Sequence, residues 1–213
     1  MNELFFIRHG KAPNNILTAE SVVGSNPGLS PEGKAQIRST SLLVSRLAAR
    51  GVIETIPSTI YSSTYKRARE SARIIADRQG QRIVLDKRLI EIQKGDWHGR
   101  PVSEILEIEN ALTPEEKIYT RPPGGENYVD VAQRVGSFVN LLVSRQEHTS
   151  MIVSHDNPIQ SAIGYLCEQD PAEWRNYSLD NGSLTRIFKE TGKKTWRLDE
   201  DIHNLTPPQI SQP

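Results

Sequence analysis

Short apolar runs alternate with longer amphipathic stretches along this chain. Residues 3–7, with the apolar run Leu4–Ile7, and 149–153, with Met151-Ile152-Val153, predict buried strands. Residues 58–62 and 82–85 predict two further short strands. Helical spacing predicts a helix over 31–49, with Ile37, Leu42, Leu43, Leu47 and Ala48 on one face. Its start is marked by Ser30 as a cap and Pro31 at the first helical position, while Gly33 is a small local cost. A second helix is expected over 65–79, with Ala68, Ala72, Ile75 and Ala76 inward, and a third over 127–145, with Val131, Val135, Phe138, Val139 and Leu142 inward. A fourth helix should begin near Pro158 and end before Asp170. Residues 183–189 and 194–198 alternate in polarity and read as a hairpin-like pair. The stretch 95–125 is irregular, with four prolines and one short helix expected after Pro101.

The β-α-β-α order predicts an α/β fold: a central, mostly parallel sheet with helices on both faces and an antiparallel edge formed by the last strands. The long connections after the first two strands suit parallel crossovers. With 213 residues the chain is expected to form one domain over 1–205, with a cap-like insertion near 95–125 and a loose tail over 206–213.

Composition narrows the function classes. Lysine and arginine total 26 and so do aspartate and glutamate, so net charge is zero and neither nucleic acid nor a membrane surface is an expected partner. A lone cysteine, Cys167, excludes an intrachain disulfide. The apolar run Leu4–Ile7 ends at Arg8, too short for a secretory signal, and no run approaches the ~18 residues that cross a membrane, so a cytoplasmic protein is expected. A homodimer is compatible with all of this.

Candidate chemistry collects where predicted strands end. The first runs into Arg8-His9-Gly10, the second into Ser62-Ser63 with Arg67 just inside the following helix, and the strand 149–153 into Ser154-His155. In open α/β sheets ligands sit beyond the carboxyl ends of the strands. Two arginines and two histidines delivered there suit an oxyanion, since the guanidinium fork matches phosphate oxygens in pairs. No GxxxxGK[ST] string offers a backbone phosphate cradle, and neither an HExxH string nor a cysteine pair suggests zinc, so no metal and no cofactor are expected.

Six strings in order carry a resemblance covering residues 4 to about 200: Arg8-His9-Gly10; Leu29-Ser30-Pro31-Glu32-Gly33; Tyr61-Ser62-Ser63 followed by Arg67-Ala68; Leu89-Ile90-Glu91 followed by Gly95-Asp96-Trp97-His98-Gly99; Pro123-Gly124-Gly125-Glu126; and Val153-Ser154-His155, with Asp180-Asn181-Gly182-Ser183 after them. The chain resembles the histidine phosphatase superfamily, which includes the cofactor-dependent phosphoglycerate mutases. That resemblance implies a phosphoglycerate mutase-like three-layer α/β/α domain and a small phosphorylated substrate. It implies His9 as the nucleophile that becomes a phosphohistidine, with Arg8, Arg67 and His155 holding the phosphoryl oxygens and Asn15 adding a hydrogen bond. Glu91 is implied as the general acid for the leaving alcohol and then the base for water.

Two positions depart from the family pattern. Lys11 follows the first string, where it would attract an anionic substrate or be solvated. Asp156 follows His155, where its carboxylate would repel phosphate unless Asp156 or Asn157 caps the next helix and points away. The leading expectation is a metal-independent phosphomonoesterase. A phosphoglycerate mutase is the alternative, disfavoured by the 34 positions between Glu91 and Gly125, and a non-catalytic phospho-ligand binder is a third reading. Arg100, Lys117, Tyr119 and Arg121 are placed over the pocket as readers of the leaving group. Plainer roles suit other residues: Asn15 and Ser62 as turn residues, Trp97 as a packing anchor, Cys167 as a small core residue, and His98, His148 and His203 as surface side chains.

Overall fold

The computed structural model describes residues 1–15 and 23–207. The strands are β1 (Asn2–Arg8), β2 (Thr59–Ser62), β3 (Arg82–Leu85), β4 (Thr149–Ser154), β5 (Leu184–Lys189) and β6 (Arg197–Leu198), and the helices are α1 (Pro31–Ala49), α2 (Lys66–Gln79), α3 (Val102–Asn110), α4 (Pro114–Tyr119), α5 (Tyr128–Ser144) and α6 (Asp156–Leu166). One six-stranded sheet has the order β3-β2-β4-β1-β5-β6. β1 to β4 pair in parallel; β5 runs antiparallel to β1, and the two-residue β6 runs antiparallel to β5 at that edge.

Strand alternation sorts the apolar side chains into two cores, one per face. Leu4, Phe6, Ile152 and Ile187 pack with α5 and α6, whereas Phe5, Ile7, Met151, Val153 and Leu184 pack with α1 and α2. Buried Phe and Ile side chains in these layers are each worth about 1.5–3 kcal/mol of transfer free energy. From adjacent β1 and β4 the chain departs to opposite faces, to α1 and to α6. That divergence opens a crevice at their carboxyl ends.

Several local expectations are corrected. The buried stripe of α1 is Ile37, Thr40, Ser41, Val44 and Leu47, while Leu42, Leu43 and Ala48 are only half-buried. Two hydroxyl residues take core positions because Thr40 Oγ1 donates across to the Gly182 carbonyl (2.6 Å) and Ser41 faces Gln79. The 95–125 stretch holds two helices rather than one; the second, α4, opens with Pro114 inside a Thr113/Glu116 capping box. Helix α6 starts at Asp156, ahead of Pro158, because a first-turn proline gives up only an N–H that needs no intrahelical partner. Residues 171–176 form a 3-10 helix that the pattern did not reveal. Of the tail expected over 206–213, residues 208–213 lie outside the described residues. Among the described residues no helix is long and apolar enough to cross a membrane.

Candidate active site

β1 and β4 run in register with Arg8 opposite Ser154, and the His9 N–H donates to the Ser154 carbonyl (3.0 Å), so His9 and His155 emerge side by side. Alternation sends both imidazoles toward the α2 face and Arg8 toward α6. The two rings stand edge to face, with centroids 4.9 Å apart. Arg67, in the first turn of α2, is buried and its Nε donates to His9 Nε2 (3.0 Å). The loop after His9 lies directly on the start of α1. A Cβ on Gly33 would come within 2.0 Å of the Lys11 carbonyl oxygen, and one on Gly10 within 2.4 Å of the Gly33 carbonyl oxygen. Both glycines are therefore required by close backbone approach. The Ser30 hydroxyl completes the junction, accepting from the Gly33 N–H (3.0 Å) while donating to the Lys11 carbonyl (3.1 Å).

The His9 tautomer follows from its neighbours. Nδ1 lies 2.8 Å from the Gly10 carbonyl, which can only accept, so Nδ1 carries the proton and Nε2 keeps its lone pair. Burial, then the Arg67 guanidinium, hold the ring well below the usual imidazole range, and Arg8 adds to this, so His9 is neutral. His155 is likewise held well down, first by burial and then by His9 and Arg67. Its Nε2 lies 2.8 Å from Ser63 Oγ, which already accepts from the Tyr65 N–H. The Ser63 hydroxyl can thus donate to Nε2, leaving the His155 proton on Nδ1, which has no partner among the described residues.

Arg8 donates to the Leu179 carbonyl and stands 3.8 Å from Asp156 Oδ1. Asp156 does not cap α6: His155 is the N-cap, without a side-chain cap, and Asp156 faces Arg8. Burial pushes its carboxyl up to about 6 against the pull of Arg8. Asn157 does not point away either. Its Nδ2 donates to Glu91 Oε1 (3.1 Å), which also accepts from the Ile92 N–H (2.9 Å), and its Oδ1 accepts from the Tyr128 hydroxyl. Asn15 Oδ1 accepts from the Ala12 N–H (2.9 Å).

Arg8, His9, Asn15, Arg67 and Glu91 all line one cavity of about 160 Å³, with Ser25, Tyr65, Lys94 and Asn157 around them; His155 lies against His9 behind that lining. The sequence did not single out Ser63, Asn157 or Lys94 as site residues. A strand end beside Arg67 pointed to the Ser62-Ser63 pair, but only geometry separates them: the Ser62 hydroxyl turns to the Ser63 carbonyl. Glu126, in the Pro123–Glu126 string, accepts from the Gln93 N–H (2.9 Å) and pairs with Arg134 on α5 (2.8 Å), fixing the segment that follows Glu91.

The expected readers of the leaving group do not line this cavity. Arg100 pairs with Glu104 and Arg121 with Asp130, Tyr119 is exposed, and Lys117 borders a separate small crevice under α3 and α4. Lys11 pairs with Glu32 (2.8 Å) and borders a larger cleft of about 530 Å³ between α1 and residues 180–182. Among the described residues that cleft is lined by no histidine or arginine, whereas Arg8, His9 and Arg67 gather at the smaller cavity. Cys167 is buried, and His98 and His148 are exposed as expected, but His203 is half-buried against Tyr177. Among the described residues no three His, Cys, Asp or Glu side chains are grouped to hold a metal ion.

Comparison with known proteins gives a consistent result. The family model described as the histidine phosphatase superfamily, branch 1, matches residues 4–201. The chain is 29% identical over 199 residues to a 2,3-bisphosphoglycerate-dependent phosphoglycerate mutase of Thermoplasma acidophilum, covering 91% of this chain and 90% of that protein. It is 28% identical over 195 residues to phosphoserine phosphatase 1 of Hydrogenobacter thermophilus, covering 89% and 88%. Among solved structures, a mycobacterial glucosyl-3-phosphoglycerate phosphatase in complex with VO3 superposes with a TM-score of 0.77 at 25% identity, covering 97% of this chain and 100% of that chain.

Proposed function

Because the chain belongs to the histidine phosphatase superfamily, we propose that it is a metal-independent phosphomonoesterase that hydrolyses a small phosphorylated metabolite through a phosphohistidine. The observation that carries this reading is the buried, neutral His9 with its proton on Nδ1 and its Nε2 lone pair turned to Arg67. When a phosphate oxygen accepts from Arg67 in place of Nε2, the lone pair is released to attack phosphorus. The ester P–O bond breaks as the N–P bond forms, and the leaving alkoxide takes the proton of Glu91. Glu91 then removes a proton from water, whose oxygen attacks phosphorus and breaks the N–P bond, freeing inorganic phosphate and His9. Arg8, Arg67 and the Nδ1–H of His155 hold the equatorial oxygens throughout, with Asn15 at the cavity's edge, so the developing charge is met by groups already in place.

In this reading Asn157 and the Ile92 N–H orient Glu91, and residues 95–125 act as a cap on one catalytic domain spanning 1–205. The cap is anchored by Ile105 and Ile118, which are buried. Hydrolysis is favoured over phosphoryl transfer between hydroxyls by the short segment between Glu91 and Gly125, which leaves water access to the phosphohistidine, and by the phosphatases among the relatives. The test is phosphate release from p-nitrophenyl phosphate together with an assay for interconversion of 3- and 2-phosphoglycerate. We expect release without interconversion, and a loss of at least about 10³-fold in His9→Ala, as for removal of a nucleophile. Interconversion stimulated by 2,3-bisphosphoglycerate would make the chain a mutase, and full activity in His9→Ala would remove the nucleophile assignment.

A further inference from the structure

Two donors converge on one oxygen of Glu91, the group assigned to the leaving alcohol. Oε1 accepts from the Ile92 N–H (2.9 Å) and from Asn157 Nδ2 (3.1 Å), whereas Oε2 has no hydrogen bond among the described residues. A proton on Oε1 would point at one of these N–H groups, so the carboxyl proton belongs on Oε2. Glu91 lines the cavity, and Oε2 is the oxygen it has to offer there.

This holds only while Asn157 presents its amide nitrogen to Glu91. Turned over, the same amide would present Oδ1, which repels the carboxylate or captures its proton. The Tyr128 hydroxyl decides between the two, because it donates to Asn157 Oδ1. Tyr128 is buried, and burial pushes its phenol above the ordinary value, so the hydroxyl keeps its proton. It has no other acceptor among the described residues, so a turned amide would strand a buried O–H.

Both residues are placed by helix starts. Tyr128 is the first residue of α5, set there by the capping box of Asn127 and Asp130, and Asn157 lies in the first turn of α6. The two helices share one core, and the Arg175 guanidinium lies over the Tyr128 ring, 5.3 Å from its centre. Tyr128 itself does not line the cavity and reaches it only through Asn157.

Resting on the phosphatase reading above, we infer that Tyr128 is a positioning residue for acid catalysis: through Asn157 it holds the Glu91 carboxyl so that Oε2 carries the proton given to the leaving oxygen. As the P–O bond breaks, that proton passes from Oε2 to the ester oxygen, and the carboxylate left behind already has two N–H donors on Oε1. In the second half of the reaction the proton of water returns to Oε2.

Leaving groups of unequal basicity test this. Phenyl phosphate and p-nitrophenyl phosphate differ in the leaving oxygen, and the more basic phenoxide depends more on being given a proton. The comparison uses kcat/KM, which covers the steps up to loss of the phenol, so hydrolysis of the phosphohistidine does not enter. Tyr128→Phe keeps the ring and removes the donor. It should lower kcat/KM for phenyl phosphate about tenfold more than for p-nitrophenyl phosphate, and Asn157→Ala should show the same bias. Because Tyr128 acts through Glu91, adding Tyr128→Phe to Glu91→Gln should cost less than about twofold further on phenyl phosphate. Equal losses on the two esters, or losses that multiply in the double variant, would overturn the inference by showing that the hydroxyl supports only the fold. Phosphate release from neither ester by the wild-type chain would instead bring down the hydrolase reading itself, and the inference with it.

Discussion

Asp156 is the residue whose environment opposes its surroundings most. It lies next to the second imidazole of the site, 3.8 Å from a guanidinium assigned to phosphate, and burial raises its carboxyl to about 6. Above that pH it is an anion beside the proposed phosphate site. Its ionised form is also a cost to folding, since an unfolded aspartate ionises near 3.8. Asp156→Asn should therefore tighten inhibition by inorganic phosphate several-fold at pH 7. It should also raise the unfolding free energy there by about 1–2 kcal/mol, at 1.36 kcal/mol per unit discounted for partial exposure, with a much smaller gain at pH 4, where the folded wild-type carboxyl is already protonated and the unfolded one nearly half so. Inhibition constants and urea midpoints at the two pH values check this; equal gains at both would show that ionisation is not the cause.

At the scale of elements, the junction of α1 with the loop after β1 reverses a general rule. Replacing a helical glycine with alanine usually adds up to about 1 kcal/mol of stability. In Gly33→Ala the new methyl would meet the Lys11 carbonyl oxygen at 2.0 Å, and every atom it crowds is backbone, which cannot yield as a flexible side chain would. We expect a loss of about 1–3 kcal/mol, as for overpacking, and a fall in kcat because Lys11 follows the His9-Gly10 turn directly. Denaturation midpoints and turnover of p-nitrophenyl phosphate measure both; a stabilised variant would refute the contact. The same junction shows what a sequence reveals. Strands β1 and β4 were legible because a short, uninterrupted apolar run with polar ends fits little besides a strand buried on both faces, and helices α2 and α5 because their inward residues keep helical spacing. His9, Arg8, Arg67 and His155 were legible because each ends or closely follows a strand. The polar core positions Thr40 and Ser41 were not, since their burial depends on the acceptor Gly182 carbonyl and the donor Gln79 amide of α2, both far along the chain. Asp156 and Asn157 were ambiguous for a related reason: a capping residue and a site residue look alike until the helix start is known to one position. Proximity in sequence brought Arg100, Lys117, Tyr119 and Arg121 over the pocket, but the short helices α3 and α4 place Arg100 and Arg121 in local ion pairs instead.

The whole molecule carries two buried neutral imidazoles against one raised carboxyl, and its acid response follows. An unfolded histidine takes its proton near pH 6.5, whereas His9 and His155 in the folded chain take theirs only at lower pH. Below 6.5 the unfolded chain therefore binds protons that the folded chain refuses, and stability falls as pH falls; above 6.5 both states are neutral and the contribution vanishes. Asp156 acts in the opposite direction between about 6 and 3.8, where only its folded carboxyl is protonated. The two imidazoles outweigh the one carboxyl, and His203, also lowered by burial, adds to them, so stability declines as pH falls below 6. Urea unfolding at pH 7.5, 6 and 5 should show this decline, and a flat profile would contradict the burial of the two rings as neutral species.

The glycine contact between the first turn of α1 and the residues after His9 also bears on how such a molecule can diversify. Main chain rests on main chain there, bridged by the Ser30 hydroxyl, so that flank offers little room for substitution to reshape the pocket without displacing the His9 ring. On the opposite flank main chain also meets main chain where Gly95 lies against Pro123–Gly125, but Lys94, Glu109 and Glu126 around the inserted helices are held by ion pairs that can be replaced one at a time. Changes of substrate preference should accumulate on that flank, leaving the phosphate end constant.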